Sequence, residues 1–370
     1  MADMGTWQRS TSSYIKSWMS WRIRYALGRS KRIGRRKRER GRVLCLLRGG
    51  LGDKLMALPG IRSFRREFKG KEFTLVVEGI APPFFKRESD RLLVVDTTRS
   101  WLKALLAFRG FDACFVNSIG LFDIWSEVAA FVSGAGILRG PQSQDQNSNL
   151  TVYNEPYLFG SGHETIVNLR GAGGGCNEAR VPYPLELSSE PDASPSKLVL
   201  LHPGSSAFGT VNRWSILNFA RLGRMLADAG LEVVAVGTEN ERELLRELGE
   251  KSAGAIRLLI DWPLERLSAE IKRALVVVAN DSGIGHLAAS VGARLITLMG
   301  PTRSDLVGPV GTNVTILRAA CPHGGCYGTI HGRNCLGCLD TIKPEHVVER
   351  VLAQAKWQPE TVCPNAASEQ

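Results

Sequence analysis

The 370-residue sequence has no hydrophobic run approaching the roughly 20 residues that a membrane-spanning helix requires. Its amino terminus also lacks the unbroken apolar stretch of a secretory signal, because SYIKSWMSWRIRYAL is interrupted by Lys16, Arg22 and Arg24. A cytoplasmic protein is expected. Neither half of the chain has G-x-G-x-x-G after its first strand-like run, and no G-x-x-x-x-G-K-[ST] occurs, which disfavours ordinary nicotinamide and P-loop chemistry.

Most of the chain also lacks net charge. The formal charge is +11, yet residues 1–42 hold 13 Lys or Arg against two acids, Asp3 and Glu39, a surplus equal to the whole. A neutral body argues against a body-wide nucleic-acid surface. The charge sits in a basic arm, residues 1–41, whose Tyr14, Trp18, Trp21 and Tyr25 fall on one helical face before the run RSKRIGRRKRERGR. An aromatic face followed by a polybasic segment suits an anionic inner-membrane surface. A solvated tail and a nucleic-acid arm are the alternatives.

What is present fits a globular protein of two domains: 44% hydrophobic residues, 22% charged, and a length beyond the usual single core. The stretch RVLCLLRGGLGDKLMALPGIRSFRREF runs from an apolar strand through a glycine turn into a helix. FTLVVEG, RLLVVDT and DACFVNS read as further strands, with helices such as LFDIWSEVAAFVSGAG among or after them. A polar, proline-bearing linker, 186–197, follows. The grammar then restarts with KLVLLHPGSS, the amphipathic SILNFARLGRMLADAG, and the junctions LEVVAVGTE, AIRLLIDW, ALVVVANDSG and RLITLMGP. Strand and helix in alternation imply parallel sheets covered by helices. The expected plan is an α/β chain of two Rossmann-like doubly wound domains, 42–185 and 198–353, facing a cleft, with a tail over 354–370. In such sheets ligands bind at the carboxyl ends of strands, where helix amino termini offer N–H groups to phosphate.

Four blocks in order, RGGLGDKLMALPGIRSFRREF, HPGSSAFGTVNRWSILNFARL, NDSGIGHLAASVGARLITLMGPT and CLDTIKPEHVVERV, resemble the heptosyltransferases of glycosyltransferase family 9. The resemblance covers roughly residues 42–353. It implies a GT-B fold and inverting transfer of heptose from ADP-heptose to the inner core of lipopolysaccharide at the cytoplasmic membrane face. It matches Asp53 to the family's proposed base, beside an acceptor-side loop of Arg48, Gly49, Gly50 and Gly52. Asp is also a favoured helix cap, which is the structural alternative for Asp53. The resemblance places Asp281, Ser282, Gly283 and His286 against the donor, and physical chemistry agrees. Ser282 and the N–H groups of Gly283 and Ile284 can donate to phosphate oxygens, while Asp281 can accept from sugar hydroxyls. A capped helix with a buried histidine is the alternative there.

Ser205 and Ser206 fall in the loop after the first strand of the second half and join the donor candidates. TVNRWS departs from relatives, which commonly carry a lysine where Asn212 stands. Arg213 then has to supply the positive charge for the departing diphosphate, or the helix dipoles do so alone. Glu239 and Glu241, after EVVAVG, are candidates to accept from a ribose hydroxyl.

Cys321, Cys326, Cys335 and Cys338 are spaced C-x4-C-x8-C-x2-C in a loop over 321–338. Such a cluster in a cytosolic chain suggests structural zinc or iron before disulfides, with reduced thiols as the other outcome and His323 or His331 as substitute ligands. No cofactor is expected for the chemistry itself. Competing functions are protein heptosylation of the autotransporter type, nucleotide-sugar epimerisation, and non-catalytic nucleotide-sugar binding.

Overall fold

The computed structural model describes residues 39–79, 81–95, 108–118, 124–142, 152–177, 179–186, 196–205, 210–320, 326 and 337–356. The aromatic face and most of the basic arm, most of the linker, Ser206 and the tail beyond Lys356 lie outside the described residues. Two compact units emerge: Met1–Leu187 with Asp305–Gly311, and Ser188–Ser304 with Thr312–Gln370. The excursion of Asp305–Gly311 into the first unit is held by His163, whose Nε2 lies 2.9 Å from the Gly308 carbonyl oxygen.

The first unit is built on a six-stranded sheet in the order β3-β2-β1-β4-β5-β6. Its strands are β1 (Arg42–Leu47), β2 (Glu72–Glu78), β3 (Arg91–Val95), β4 (Ala113–Val116), β5 (Ile137–Gln142) and β6 (Glu155–Leu158). Every pairing is parallel. A parallel central strand is covered on both faces, so it reads as a continuous apolar run rather than an alternating one. β1 is such a strand, RVLCLL, buried from Val43 to Leu47. After it come α1 (Leu51–Met56) and α2 (Leu58–Glu67); α3 (Ile124–Val132) and α4 (Glu164–Gly171) complete the described helices of this unit that bear on the site. Helices α2 and α4 pack closely, because Gly60 leaves room for the Asn168 carbonyl; a β-carbon there would lie 2.5 Å from that oxygen.

The second unit repeats the plan in the order β12-β11-β10-β7-β8-β9, again parallel throughout. The strands are β7 (Leu198–His202), β8 (Glu232–Gly237), β9 (Arg257–Ile260), β10 (Val276–Asn280), β11 (Leu295–Met299) and β12 (Val314–Arg318). Around them lie α5 (Ile216–Asp228), α6 (Arg242–Lys251), α7 (Leu264–Arg273), α8 (Gly283–Ser290) and α9 (Pro344–Lys356). α5 starts where Ser215 accepts from the Asn218 N–H and stops before Gly230, whose φ of +79° suits a residue without a side chain.

Both sheets reverse direction of growth at one place. In the first, the chain moves outward from β1 through β2 to β3, then returns to the other side of β1 with β4. In the second, it moves from β7 to β9 and returns beside β7 with β10. At such switch points the loops after the two central strands diverge, one above and one below the sheet, and leave a crevice at the carboxyl ends. Asp53 follows β1, and Ser282 follows β10.

Candidate functional site

At the switch point of the first unit, the β1–α1 turn is fixed by β4. Asn117, at the end of β4, accepts from the Arg48 N–H at 3.0 Å and donates to the Arg48 carbonyl at 3.1 Å. Arg48 itself forms an ion pair with Glu78 and lies 5.5 Å from the centre of the Trp125 ring. Gly49 has φ +92° and Gly50 is the residue before α1. Asp53 stands in the first turn of α1, with its Oδ2 accepting from the Gly50 N–H at 2.7 Å. This contact closes the helix start, so part of the carboxylate is structural. Burial raises the Asp53 pKa, opposed in part by the Gly50 N–H and the Lys54 charge.

Two further ionisable side chains surround it. Lys54 is buried, and its Nζ donates to the Glu78 carbonyl at 2.6 Å. Burial pulls its pKa down to about 8, against the attraction of Glu78 and Asp53. Glu164, in the first turn of α4, is buried and accepts a hydrogen bond from the Ser118 hydroxyl. Burial pushes its pKa up to about 7; Ser118 opposes this and the Asp53 charge adds to it. Asn168 ties the group together, accepting from the Ser118 N–H at 2.9 Å and donating to the Ser118 hydroxyl at 3.1 Å.

At the switch point of the second unit, Asn280 ends β10 fully buried. Its Oδ1 accepts from the Trp214 N–H at 3.0 Å and its Nδ2 donates to the Pro203 carbonyl at 2.8 Å. One carboxamide thus fixes the loop after β7 and the segment before α5. Ser282 caps α8, accepting from the Gly285 N–H at 3.4 Å, and its hydroxyl lies 3.0 Å from His202 Nδ1. The other imidazole nitrogen of His202 is 3.8 Å from Glu241 Oε1. Burial works against the Glu241 charge, but His202 and the Thr238 N–H and hydroxyl hold it, and the pKa falls to about 2. The N–H groups of Gly283 and Ile284 open α8, where the helix dipole favours an anion. Asp281 accepts from the Thr302 hydroxyl at 2.7 Å, and His286 is buried one turn inside α8.

The sequence compares with known proteins as this geometry would suggest. Residues 179–331 match the model of glycosyltransferase family 9 (heptosyltransferase). The chain is 23% identical over 309 residues to lipooligosaccharide heptosyltransferase 2 of Campylobacter jejuni, covering 81% of this chain and 94% of that one. Lipopolysaccharide heptosyltransferase 1 of Escherichia coli is 26% identical over 308 residues, 75% of this chain and 93% of its own length. The chain is thus similar to the heptosyltransferases of glycosyltransferase family 9. In fold it resembles the solved structure of the Escherichia coli ADP-heptose lipopolysaccharide heptosyltransferase II, with a TM-score of 0.67 at 18% identity over 85% of this chain and 98% of that one.

Within this chain, the residues singled out from the sequence fall into two groups. Arg48, Gly49, Gly50, Gly52 and Asp53 gather at the first switch point, and Asp281, Ser282, Gly283 and His286 at the second. The two glutamates separate: Glu241 turns in toward His202, whereas Glu239 is exposed and paired with both nitrogens of the Arg242 fork, at 2.7 and 2.6 Å. Arg213 Nε donates to the Ser205 hydroxyl at 3.2 Å. Asn212 is buried, with a side-chain oxygen that has no hydrogen-bond partner among the described residues. A buried orphan acceptor is costly unless a ligand or water donates to it.

Of the four clustered cysteines, Cys326 and Cys338 are buried, while Cys321 and Cys335, with His323 and His331, lie outside the described residues. Among the described residues no three His, Cys, Asp or Glu side chains gather as metal ligands.

Sequence reasoning missed Lys54, Glu164, His202, Asn280 and Thr302. Four of these sit inside quoted motifs: Lys54 in GGLGDK, His202 in HPG, Asn280 in NDSG and Thr302 at the end of LITLMGPT. Glu164 left no signal, since only the fold brings the start of α4 beside α1.

Proposed function

We propose that this chain is a family 9 glycosyltransferase, moving heptose from ADP-heptose to a hydroxyl of the lipopolysaccharide core, with inversion at the anomeric carbon. The observation that carries the reading is the placement of Asp53 and of the α8 amino terminus at the two topological switch points, each on a rigidly hydrogen-bonded turn. The relatives support the substrate class: they are lipooligosaccharide and lipopolysaccharide heptosyltransferases, one named for ADP-heptose.

The work divides between the units. Asp53 accepts the proton of the acceptor hydroxyl as its oxygen bonds to the anomeric carbon, and a carboxylate with a raised pKa is better matched to that task than an exposed one. The bond from the anomeric carbon to the diphosphate breaks, and its electron pair leaves with ADP. Ser282 and the first N–H groups of α8 receive the diphosphate; Arg213 supplies the fixed positive charge that Asn212 cannot, with Ser205 placing its guanidinium. The Asn212 side-chain oxygen accepts one hydrogen bond from a hydroxyl of the bound donor, which supplies the partner it lacks among the described residues. Asp281 accepts from a sugar hydroxyl. Glu241, already held by Thr238 and His202, is better placed than Glu239 to take a ribose hydroxyl. No step runs through a metal.

The basic arm holds the enzyme at the inner membrane face, where the lipid-linked acceptor lies. The reading is tested by incubating the protein with ADP-heptose and a heptose-deficient lipopolysaccharide core, with mass-spectrometric detection of product. A mass increase of one heptose is expected. ADP-heptose binding without transfer to any core acceptor would favour the non-catalytic alternative, and transfer to protein alone would favour the autotransporter type.

A further inference from the structure

A body neutral in sum is not neutral everywhere. The carboxyl ends of the first unit's strands carry Asp53, and their amino ends carry something different. There a cavity of about 590 Å³ is lined by Arg62, Arg65, Arg66, Lys69 and Lys71, with Phe68 and a single acid, Asp90. These residues come from the second half of α2 and the turn into β2, and Asp90 directly precedes β3.

Three of the five cations are balanced. Arg62 donates through Nε and Nη2 to Glu88, at 3.0 and 2.6 Å. Arg65 pairs with Asp90 at 2.8 Å, and the other oxygen of Asp90 accepts from the Phe73 N–H at 2.8 Å. Lys71 pairs with Asp112 at 2.8 Å, and Asp112 also accepts from the N–H groups of Arg40, at 2.7 Å, and Gly41, at 2.9 Å. These pairs fix the walls without removing the surplus. Arg66 and Lys69 are exposed and form no ion pair among the described residues, leaving two cations unbalanced at one cavity. Single surface cations need no explanation, but two on a wall already braced by paired arginines form a fixed positive concavity.

The chemistry of the wall says what would enter. Guanidinium forks and ammonium groups match phosphate oxygens. Phe68, half-buried and 4.9 Å from the Phe64 ring, adds an apolar surface that a free phosphate would not use. The entry of the chain decides the source. The cationic run of the sequence ends at Arg42, and Arg40 and Gly41 bond to the same Asp112 carboxylate that holds Lys71. The polybasic arm therefore joins the folded body beside this cavity. We infer that the Arg62–Arg65–Arg66–Lys69–Lys71 cavity is a headgroup site for an anionic phospholipid, by which the amino ends of the first unit's strands rest on a membrane. The inference does not depend on the heptose reading, and its readout is not activity.

The test compares partitioning of the full-length protein onto phosphatidylglycerol-containing vesicles and onto neutral phosphatidylcholine vesicles, at roughly 0.1 M salt. A basic residue near such a surface contributes about 1 kcal/mol, about fivefold in partitioning. Arg66→Gln with Lys69→Gln should weaken binding to the anionic vesicles roughly 25-fold, with no change on neutral ones. Lys69→Arg, which keeps the charge, should bind as the parent does. Both positions are exposed and form no ion pair among the described residues, so the variants should keep the parent's circular dichroism. A double variant that partitions like the parent overturns the site. So does one that loses affinity for inorganic phosphate alone while vesicle binding is unchanged, since the cavity would then serve a soluble anion.

Discussion

Gly49 exists for the sake of Asp53: a β-carbon at position 49 would lie 2.5 Å from Asp53 Oδ2. The same residue has φ +92°, which side chains rarely adopt. Two independent constraints, space and backbone, thus reserve this position for glycine so that the carboxylate can turn back to the Gly50 N–H.

Gly49→Ala should therefore cost about 1–3 kcal/mol of stability and push the carboxylate out of place. Denaturant midpoints and transfer assays measure the two effects. Gly41→Ala provides the comparison: its φ is also positive, at +68°, but no atom lies within 4 Å of the added carbon. It should lose stability by strain alone and keep its turnover. Equal turnover for both variants would show that the Gly49–Asp53 contact has no part in the chemistry.

Glu164 sets a pH dependence. Its folded pKa is raised from 4.5 to about 7, so the folded state holds this proton more tightly than the unfolded one. Stability from this group is present below pH ~4.5 and is lost as pH rises to about 7, above which the loss is complete. Glu164→Gln keeps a neutral acceptor for the Ser118 hydroxyl and removes the ionisation. The variant should be more stable than the parent at pH 8, with the difference shrinking toward pH 4.5 in melting curves. A constant difference across that range would show that Glu164 does not titrate there.

Ser282 is committed twice, to the Gly285 N–H and to His202. Ser282→Ala should weaken ADP binding by about 1–3 kcal/mol if the hydroxyl also meets the diphosphate, and lower stability by about 1 kcal/mol through the lost cap. Calorimetry with ADP separates the two. Unchanged affinity with lowered stability would make Ser282 a cap and nothing more.

The central strands were legible because burial on both faces writes an unbroken apolar run: RVLCLL, LVLLH and VVVAN are all buried almost throughout. β5, β6 and β12 were not. β5 contains Gly140 and Pro141, and Gly140 is needed because a β-carbon there would lie 2.2 Å from the Tyr153 ring. β6 and β12 are edge strands with polar or half-exposed sequences. The switch-point loops could be found from their glycines and small polar residues. The groups that brace them, Asn117 with Arg48 and Asn280 with Trp214, are 69 and 66 residues apart in sequence and appear only once the strands are ordered. Asp53 is a related case. As a cap or as a base it has the same signature in sequence, and in the structure its Oδ2 caps α1 while the carboxyl stands at the switch point.

The most direct test of catalysis by Asp53 is Asp53→Asn, assayed for heptose transfer and, separately, for ADP-heptose affinity by calorimetry. The amide keeps the size of the side chain but cannot take a proton, so turnover should fall by at least about 100-fold while donor affinity stays within a few-fold of the parent. Parental turnover in a folded Asp53→Asn protein would contradict the assignment and leave Asp53 as the residue that closes α1.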